Sequence, residues 1–249
     1  MKKVVFQAAL LAMALIAGQA RAEDDRLSAT ATLGAVSEYY FRGISQTDGS
    51  PAIQPGIEGD FQINDTVSGY LGLWGSNVNF HNGTKAEVDV TGGFRFTFDK
   101  LGFDLGVVRY EYLDTDNAPN QPYTELKLLG SYDFGYVIPV AGVYMSNDYF
   151  NGSGRSIYYT AGVTVPIPVT QFEPRLVANI GHQVIDDNAA FGTPDYTDWN
   201  VGLFASYWGF TAGIQYVDNN LSSSECFGGG NGSLCAAAVI ASLSYGITF

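Results

Sequence analysis

Carboxylates spaced two apart recur along the chain: Glu58 with Asp60 and Glu87 with Asp89. Two further acidic runs, Asp114-Thr115-Asp116-Asn117 and Asp186-Asp187, lie in polar stretches. Paired acids can serve as general acid and base, or hold a hard cation. Hydrolysis also needs a nucleophile with a base in reach. His81 lies in a Gly/Asn stretch, His182 follows Gly181 with no serine motif nearby, and no G-x-S-x-G occurs. Neither acidic run has the EF-hand pattern, so a solvated loop is the plainer reading of each. No catalytic residue, metal or cofactor is expected. The spacing has a simpler consequence: residues i and i+2 of a strand share one face, so these acids would line the same side of a sheet.

That side has to belong to an exported protein. Lys2 and Lys3, the apolar run 4–17 and Ala20-Arg21-Ala22 form a secretory signal peptide over residues 1–22. The remaining 23–249 read as one domain carrying 9 basic and 25 acidic residues, a formal charge of −16. Such a balance argues against a nucleic-acid partner. No other run reaches the roughly 20 apolar residues of a membrane helix. The chain therefore stays soluble or enters a membrane as a closed barrel. Two cysteines in an exported chain, Cys226 and Cys235, point to one disulfide.

Periodicity decides between these. From the end, Phe249, Ile247, Tyr245, Leu243, Ala241, Val239 and Ala237 alternate with mostly small or polar residues. An aromatic-ended strand left as an open edge invites aggregation, and closure removes the edge. Twelve strands are predicted: 27–42, 52–63, 67–78, 85–98, 101–113, 123–133, 136–146, 156–165, 171–184, 196–207, 210–218 and 235–249. The fifth breaks parity, since Phe103, Leu105 and Val107 share a face with Arg109 and Glu111. An Arg facing the middle of a bilayer costs about 2–4 kcal/mol. A β-bulge near Val107–Val108 is expected to turn both charges inward.

The connections alternate long and short, as in outer-membrane barrels with short periplasmic turns and longer outer loops. Aromatics fall into two groups. Phe61, Phe98, Phe103, Tyr136, Trp208 and Phe210 lie near the short turns; Tyr39, Phe41, Tyr110, Tyr112, Tyr123, Tyr144, Tyr158, Tyr159, Trp199 and Tyr216 lie near the long loops. Two belts are what two membrane interfaces ask for. The fold class expected is all-β, an antiparallel up-and-down transmembrane β-barrel of about 12 strands in the bacterial outer membrane.

Ser37-Glu38-Tyr39-Tyr40-Phe41-Arg42-Gly43-Ile44-Ser45-Gln46-Thr47-Asp48-Gly49, followed by Pro51-Ala52-Ile53-Gln54, resembles the opening signature of the TorF family of porins. Gly75-Ser76-Asn77-Val78, Glu87-Val88-Asp89 and the two cysteines before the last strand are similar to that family too. The resemblance implies an outer-membrane β-barrel channel and brings no catalytic residues.

With this parity the pore-lining set is Glu38, Arg42, Glu58, Asp60, Lys85, Glu87, Asp89, Arg95, Arg109, Glu111, Glu125, Lys127, Glu173, Arg175 and Asp198. Charges at membrane depth face water or each other. One reading is a porin-like channel for passive diffusion of small hydrophilic solutes, neutral or cationic given the acidic excess. The alternative is a structural barrel with a salt-bridged, plugged lumen and surface-exposed loops. Twelve strands give a backbone diameter of roughly 24 Å, which leaves little free width. An outer-membrane hydrolase is the remote third class. The expected partners are the lipid bilayer and lipopolysaccharide, the small solutes, and the outer-membrane assembly machinery acting on the strand that ends in Phe249.

Overall fold

The computed structural model describes residues 26–113, 121–169, 171–229 and 232–249. The expected signal peptide and the Asp114–Asn117 run lie outside the described residues. The strands are β1 Leu27–Val36, β2 Tyr40–Phe41, β3 Ile44–Ser45, β4 Ala52–Asn64, β5 Val67–Asn77, β6 Ala86–Phe98, β7 Leu101–Leu113, β8 Tyr123–Tyr132, β9 Ile138–Ser146, β10 Ser156–Pro166, β11 Arg175–Ile185, β12 Tyr196–Tyr207, β13 Phe210–Asn219 and β14 Ala238–Thr248. Twelve of them close into one antiparallel barrel, and β2 and β3 form a separate hairpin. Closure pairs β1 with β14 from Thr30↔Thr248 to Val36↔Ser242. Reciprocal bonds of 2.8 and 2.9 Å between Ala29 and Phe249 extend the seam to the last residue. Among the described residues, closure leaves no edge strand in the barrel sheet.

The outward face is apolar by alternation. Leu71, Ile214, Leu105 and Leu203 are about half exposed or more, which in water would be an aggregation surface and in lipid is the bilayer contact. At the short-turn end Trp208 and Tyr136 are the most exposed aromatics, 82% and 73%, the position of an interfacial anchor. The barrel is of the outer-membrane type.

Five local expectations change. The first strand stops at Val36, and the chain turns into the β2–β3 hairpin instead of continuing the wall to Arg42. The β6–β7 register runs unbroken from Ala86↔Leu113 to Phe98↔Leu101, so there is no bulge at Val107–Val108 and Arg109 and Glu111 face outward. Eight residues up a strand rising about 3.3 Å each and tilted about 40° put Arg109 about 20 Å above the turn. That is near the outer edge of an apolar band about 25 Å tall, where Arg109 Nε and Glu111 Oε1 pair at 2.7 Å. A register shift occurs instead at Gln62/Asn64, beside a short turn. β10 ends at Pro166 and β11 starts only at Arg175, because Pro168 and Pro174 supply no ladder N–H. The last strand begins at Ala238, since Cys235 is held in a 3₁₀ turn by the Cys226–Cys235 disulfide. Most of the second aromatic group is not a belt: Tyr39, Tyr110, Tyr112, Tyr123, Tyr144 and Tyr158 are buried inside the barrel, while Tyr159 and Tyr216 face outward.

Candidate functional site: the lumen and its inner hairpin

Inward positions near the short-turn end are small and polar. Thr30 bonds Thr248 at 2.9 Å across the closing seam, Ser206 bonds Thr211 at 2.8 Å, and Asn179 donates to Asn200 at 2.9 Å. Arg175 donates to Ser206 at 2.9 Å. Thr248 is exposed and the others are half-buried, as side chains around an open vestibule are.

A charged band follows. Arg95 pairs with Glu58 at 2.9 Å and Asp60 at 2.7 Å, and its Nε lies 3.8 Å from Asp104. Lys127 reaches Asp104 at 2.9 Å, and the Tyr70 hydroxyl donates to the same carboxylate at 2.8 Å. The Arg95 guanidinium stacks 3.9 Å from the Tyr70 ring centroid. Tyr70 can lie flat against the wall because β7 carries Gly106 beneath it: a Cβ there would come 2.3 Å from the Tyr70 hydroxyl.

Beyond this band the lumen is filled by the β2–β3 hairpin. Its turn, Arg42-Gly43, has both residues left-handed (φ 47° and 75°), as a two-residue type I′ turn requires. Gly43 is needed for space as well, since a Cβ would sit 2.7 Å from the Asp198 side chain on β12. Asn219 of β13 donates to Gly43 O at 2.6 Å. At the hairpin base Glu38 accepts from Ser45 Oγ at 2.5 Å and Gly49 N at 2.8 Å, and Tyr39 N donates to Thr47 Oγ1 at 3.0 Å.

The tip is anchored by Arg42. Its two terminal nitrogens grip Glu125 on β8 at 2.9 and 2.7 Å, and one also donates to Gln183 on β11 at 2.8 Å. The guanidinium stacks over Tyr158 at 4.1 Å. Burial is the largest influence on Arg42 and would lower its pKa, but the Glu125 carboxylate together with Tyr149 and Tyr110 holds it above its ordinary value. The cation is permanent. Around it Tyr110 donates to Glu125 at 3.1 Å and Tyr158 to both oxygens of Asp198 at 3.0 and 3.1 Å. Glu87 and Asp89, each 2% exposed, project from β6, and the Tyr39 hydroxyl donates to Glu87 at 3.3 Å.

Of the sequence-derived set, Glu58, Asp60, Glu87, Asp89, Arg95, Glu125, Lys127, Arg175 and Asp198 project from the barrel wall into the lumen, and Arg42 enters it from the hairpin. Glu38 braces the hairpin base instead of the wall. Lys85 is exposed at the outer rim, and Glu173 sits between β10 and β11 with φ 41°. Arg109 and Glu111 face outward. Asp104 was missed, although the outward parity of Phe103, Leu105 and Val107 already puts it inside. Both histidines lie off the lumen. His81 contacts Asp48 at 2.8 Å among the outer loops, and His182 faces outward, bonded to Thr197 at 2.9 Å. Among the described residues no cluster of three His, Cys, Asp or Glu could hold a metal. The arrangement pairs and screens charge; its donors and acceptors hold a hairpin in the lumen.

Above Arg42 an aromatic layer roofs the lumen. Tyr110 stacks on Tyr123 at 4.3 Å, and Phe150 packs edge-on against Tyr112 at 5.4 Å. A cavity of about 140 Å³ remains within this layer.

The model of a family described as a bacterial protein of unknown function, Gcw_chp, matches residues 21–245. Among curated proteins nothing matches the sequence. Solved structures resemble the barrel at low identity. An outer-membrane channel from Pseudomonas putida F1 is 12% identical with a TM-score of 0.53, over 94% of this chain and 100% of that one. LpxR from Salmonella typhimurium is 10% identical with a TM-score of 0.52, over 89% and 100%. A chain solved in work on in-meso crystallization of membrane proteins is 10% identical with a TM-score of 0.55, over 89% and 84%. At these identities the likeness is one of fold.

Proposed function

The chain belongs to the bacterial family Gcw_chp, and from the geometry of its lumen we propose a narrow porin-like channel of the outer membrane, shut at rest by the β2–β3 hairpin. One observation carries this reading. The lumen is polar from the vestibule through the Arg95 band, and a hairpin separate from the barrel sheet fills its outer half. A structural barrel needs no open vestibule behind its plug. The solutes are small and hydrophilic, neutral or cationic. Seven wall carboxylates (Glu58, Asp60, Glu87, Asp89, Asp104, Glu125, Asp198) face three wall cations (Arg95, Lys127, Arg175) and Arg42 among the described residues, and a wall of one sign concentrates the opposite ion. The TorF resemblance of the hairpin sequence points the same way. Residues 1–22 act as the export signal, the strand ending in Phe249 meets the assembly machinery, and lipopolysaccharide surrounds the outer rim near Arg109.

A second reading has its own support: Arg42 and Glu125 are 5% and 0% exposed, the burial of a permanent plug. Planar-bilayer recording separates the two. The natural protein should conduct rarely, and a variant with residues 38–49 replaced by a short Gly/Ser linker should conduct steadily with K⁺ preferred over Cl⁻. Silence of both proteins, each inserted and folded, overturns the channel and leaves the filled structural barrel.

A further inference from the structure

The aromatic roof leaves space where a packed core would not. Its cavity measures about 140 Å³, close to the roughly 150 Å³ of an apolar cavity that takes up benzene. Side chains from all six outer loops, or the strand ends beside them, converge on it: Phe41, Phe80, Tyr123, Phe150, Phe191 and Leu234 among them. The rings hold one another. Phe80 meets Phe150 at 5.7 Å, Tyr149 meets Phe191 at 5.4 Å, and the Cys226–Cys235 disulfide belongs to the same cluster. The space is partly open, and its lining comes from the long-loop end of the barrel.

A second observation is independent of the void. Gln121 lines the cavity and is 1% exposed. Its carbonyl accepts from Thr84 Oγ1 at 2.6 Å, which fixes the amide orientation. Its Nε2 has no hydrogen-bond partner among the described residues. A buried donor left unmade is costly, and a guest with an acceptor would satisfy it. Among the described residues that line it, none is Asp, Glu, Lys or Arg, so none of these balances a charged guest.

We propose that this cavity is a binding site, on the outer face of the barrel, for a small neutral monocyclic aromatic compound bearing one hydrogen-bond acceptor. The rings enclose the guest and Gln121 Nε2 orients it by donating to the acceptor. The site stands whether or not the barrel conducts, because its walls are the roof above the hairpin anchor.

The test uses the full mature protein in detergent micelles and saturation-transfer NMR titrations. The probes are acetophenone and ethylbenzene, alike in size but differing in the acceptor. The natural protein should bind acetophenone about fivefold tighter, the worth of one net hydrogen bond. Gln121→Met should bring that ratio to about one. Leu234→Phe, which fills the cavity, should abolish saturable binding of both probes. Saturable binding that survives Leu234→Phe, or a ratio of about one in the natural protein, overturns the site and leaves partition into the micelle or water in the cavity. Each variant is checked by its unboiled gel mobility, and if one fails to fold, the ratio in the natural protein decides alone.

Discussion

Glu125 is the residue whose loss should release the hairpin. It accepts both Arg42 nitrogens and the Tyr110 hydroxyl at 0% exposure. Glu125→Leu leaves the guanidinium buried without its counter-charge. Removing one partner of a buried pair costs about 3–5 kcal/mol. Arg42 keeps Gln183 at 2.8 Å and the Tyr158 ring at 4.1 Å, so the lower end, about 3 kcal/mol, applies. At 1.4 kcal/mol per tenfold this raises the withdrawn population roughly a hundredfold. Arg42 itself reports the change, because it is a trypsin site that is 5% exposed while the hairpin is inserted. When opening is fast relative to cleavage, the cutting rate follows the open population. In lipid vesicles, cleavage after Arg42 should accelerate roughly a hundredfold in Glu125→Leu. Cleavage after Arg155, whose side chain is 65% exposed, should not change. Equal rates at Arg42 in variant and natural protein, both folded, would refute the anchor. Replacing both partners, Arg42→Met with Glu125→Leu, should restore the quiet resting state, since an apolar pair in place of a buried ion pair is often neutral or better.

Three further outcomes are expected. In the hairpin-replaced channel, Arg95→Met frees Glu58 and Asp60, while Asp104 keeps Lys127, and should strengthen the K⁺ preference in reversal-potential measurements, with less effect at 1 M salt where the Debye length is about 3 Å; a shift toward chloride would contradict it. Leu71→Arg, on the lipid face at 65% exposure, should cost about 2–4 kcal/mol in urea titrations of the vesicle-bound protein, whereas Arg109→Leu at the outer edge should stay within about 1 kcal/mol. Reducing Cys226–Cys235, nine residues apart, should cost no more than about 3 kcal/mol and leave the barrel heat-modifiable on gels; loss of the barrel on reduction would make the bridge essential.

Much of the barrel could be read from alternation because the outward face meets one solvent. Leu27, Ile53, Ile57, Phe94 and Leu243 satisfy lipid by being apolar, whatever their neighbours are. The same reading failed at Tyr39-Tyr40-Phe41, which continues the period of two past Val36 and so looks like more wall. Only Arg42-Gly43 marks the reversal, and it lacks the Asn-Gly or Asp-Gly of the strongest hairpin signal. Tyr110 and Tyr112 were assigned to an interface because aromatics near loops usually belong there. Their parity, shared with Asp104, puts them inside.

The lumen follows a different rule. An inward side chain is specified by partners that are distant in sequence: Arg42 by Glu125 and Gln183, 83 and 141 residues away, and Gly43 by Asn219, 176 residues away. No local window contains these pairs, so the sequence shows which charges point inward but not which are engaged with one another. Whether a charged wall is a pore or a plug is decided by that engagement. Arg95 and Lys127 neutralise the wall with residues of the wall itself, and this can persist in an open channel. Arg42 neutralises Glu125 from a hairpin outside the barrel sheet, and in the proposed channel that hairpin withdraws. On the proposed reading the same type of contact is permanent lining at one level of the barrel and a latch at the next, and the difference lies in whether the cation's backbone belongs to the barrel sheet.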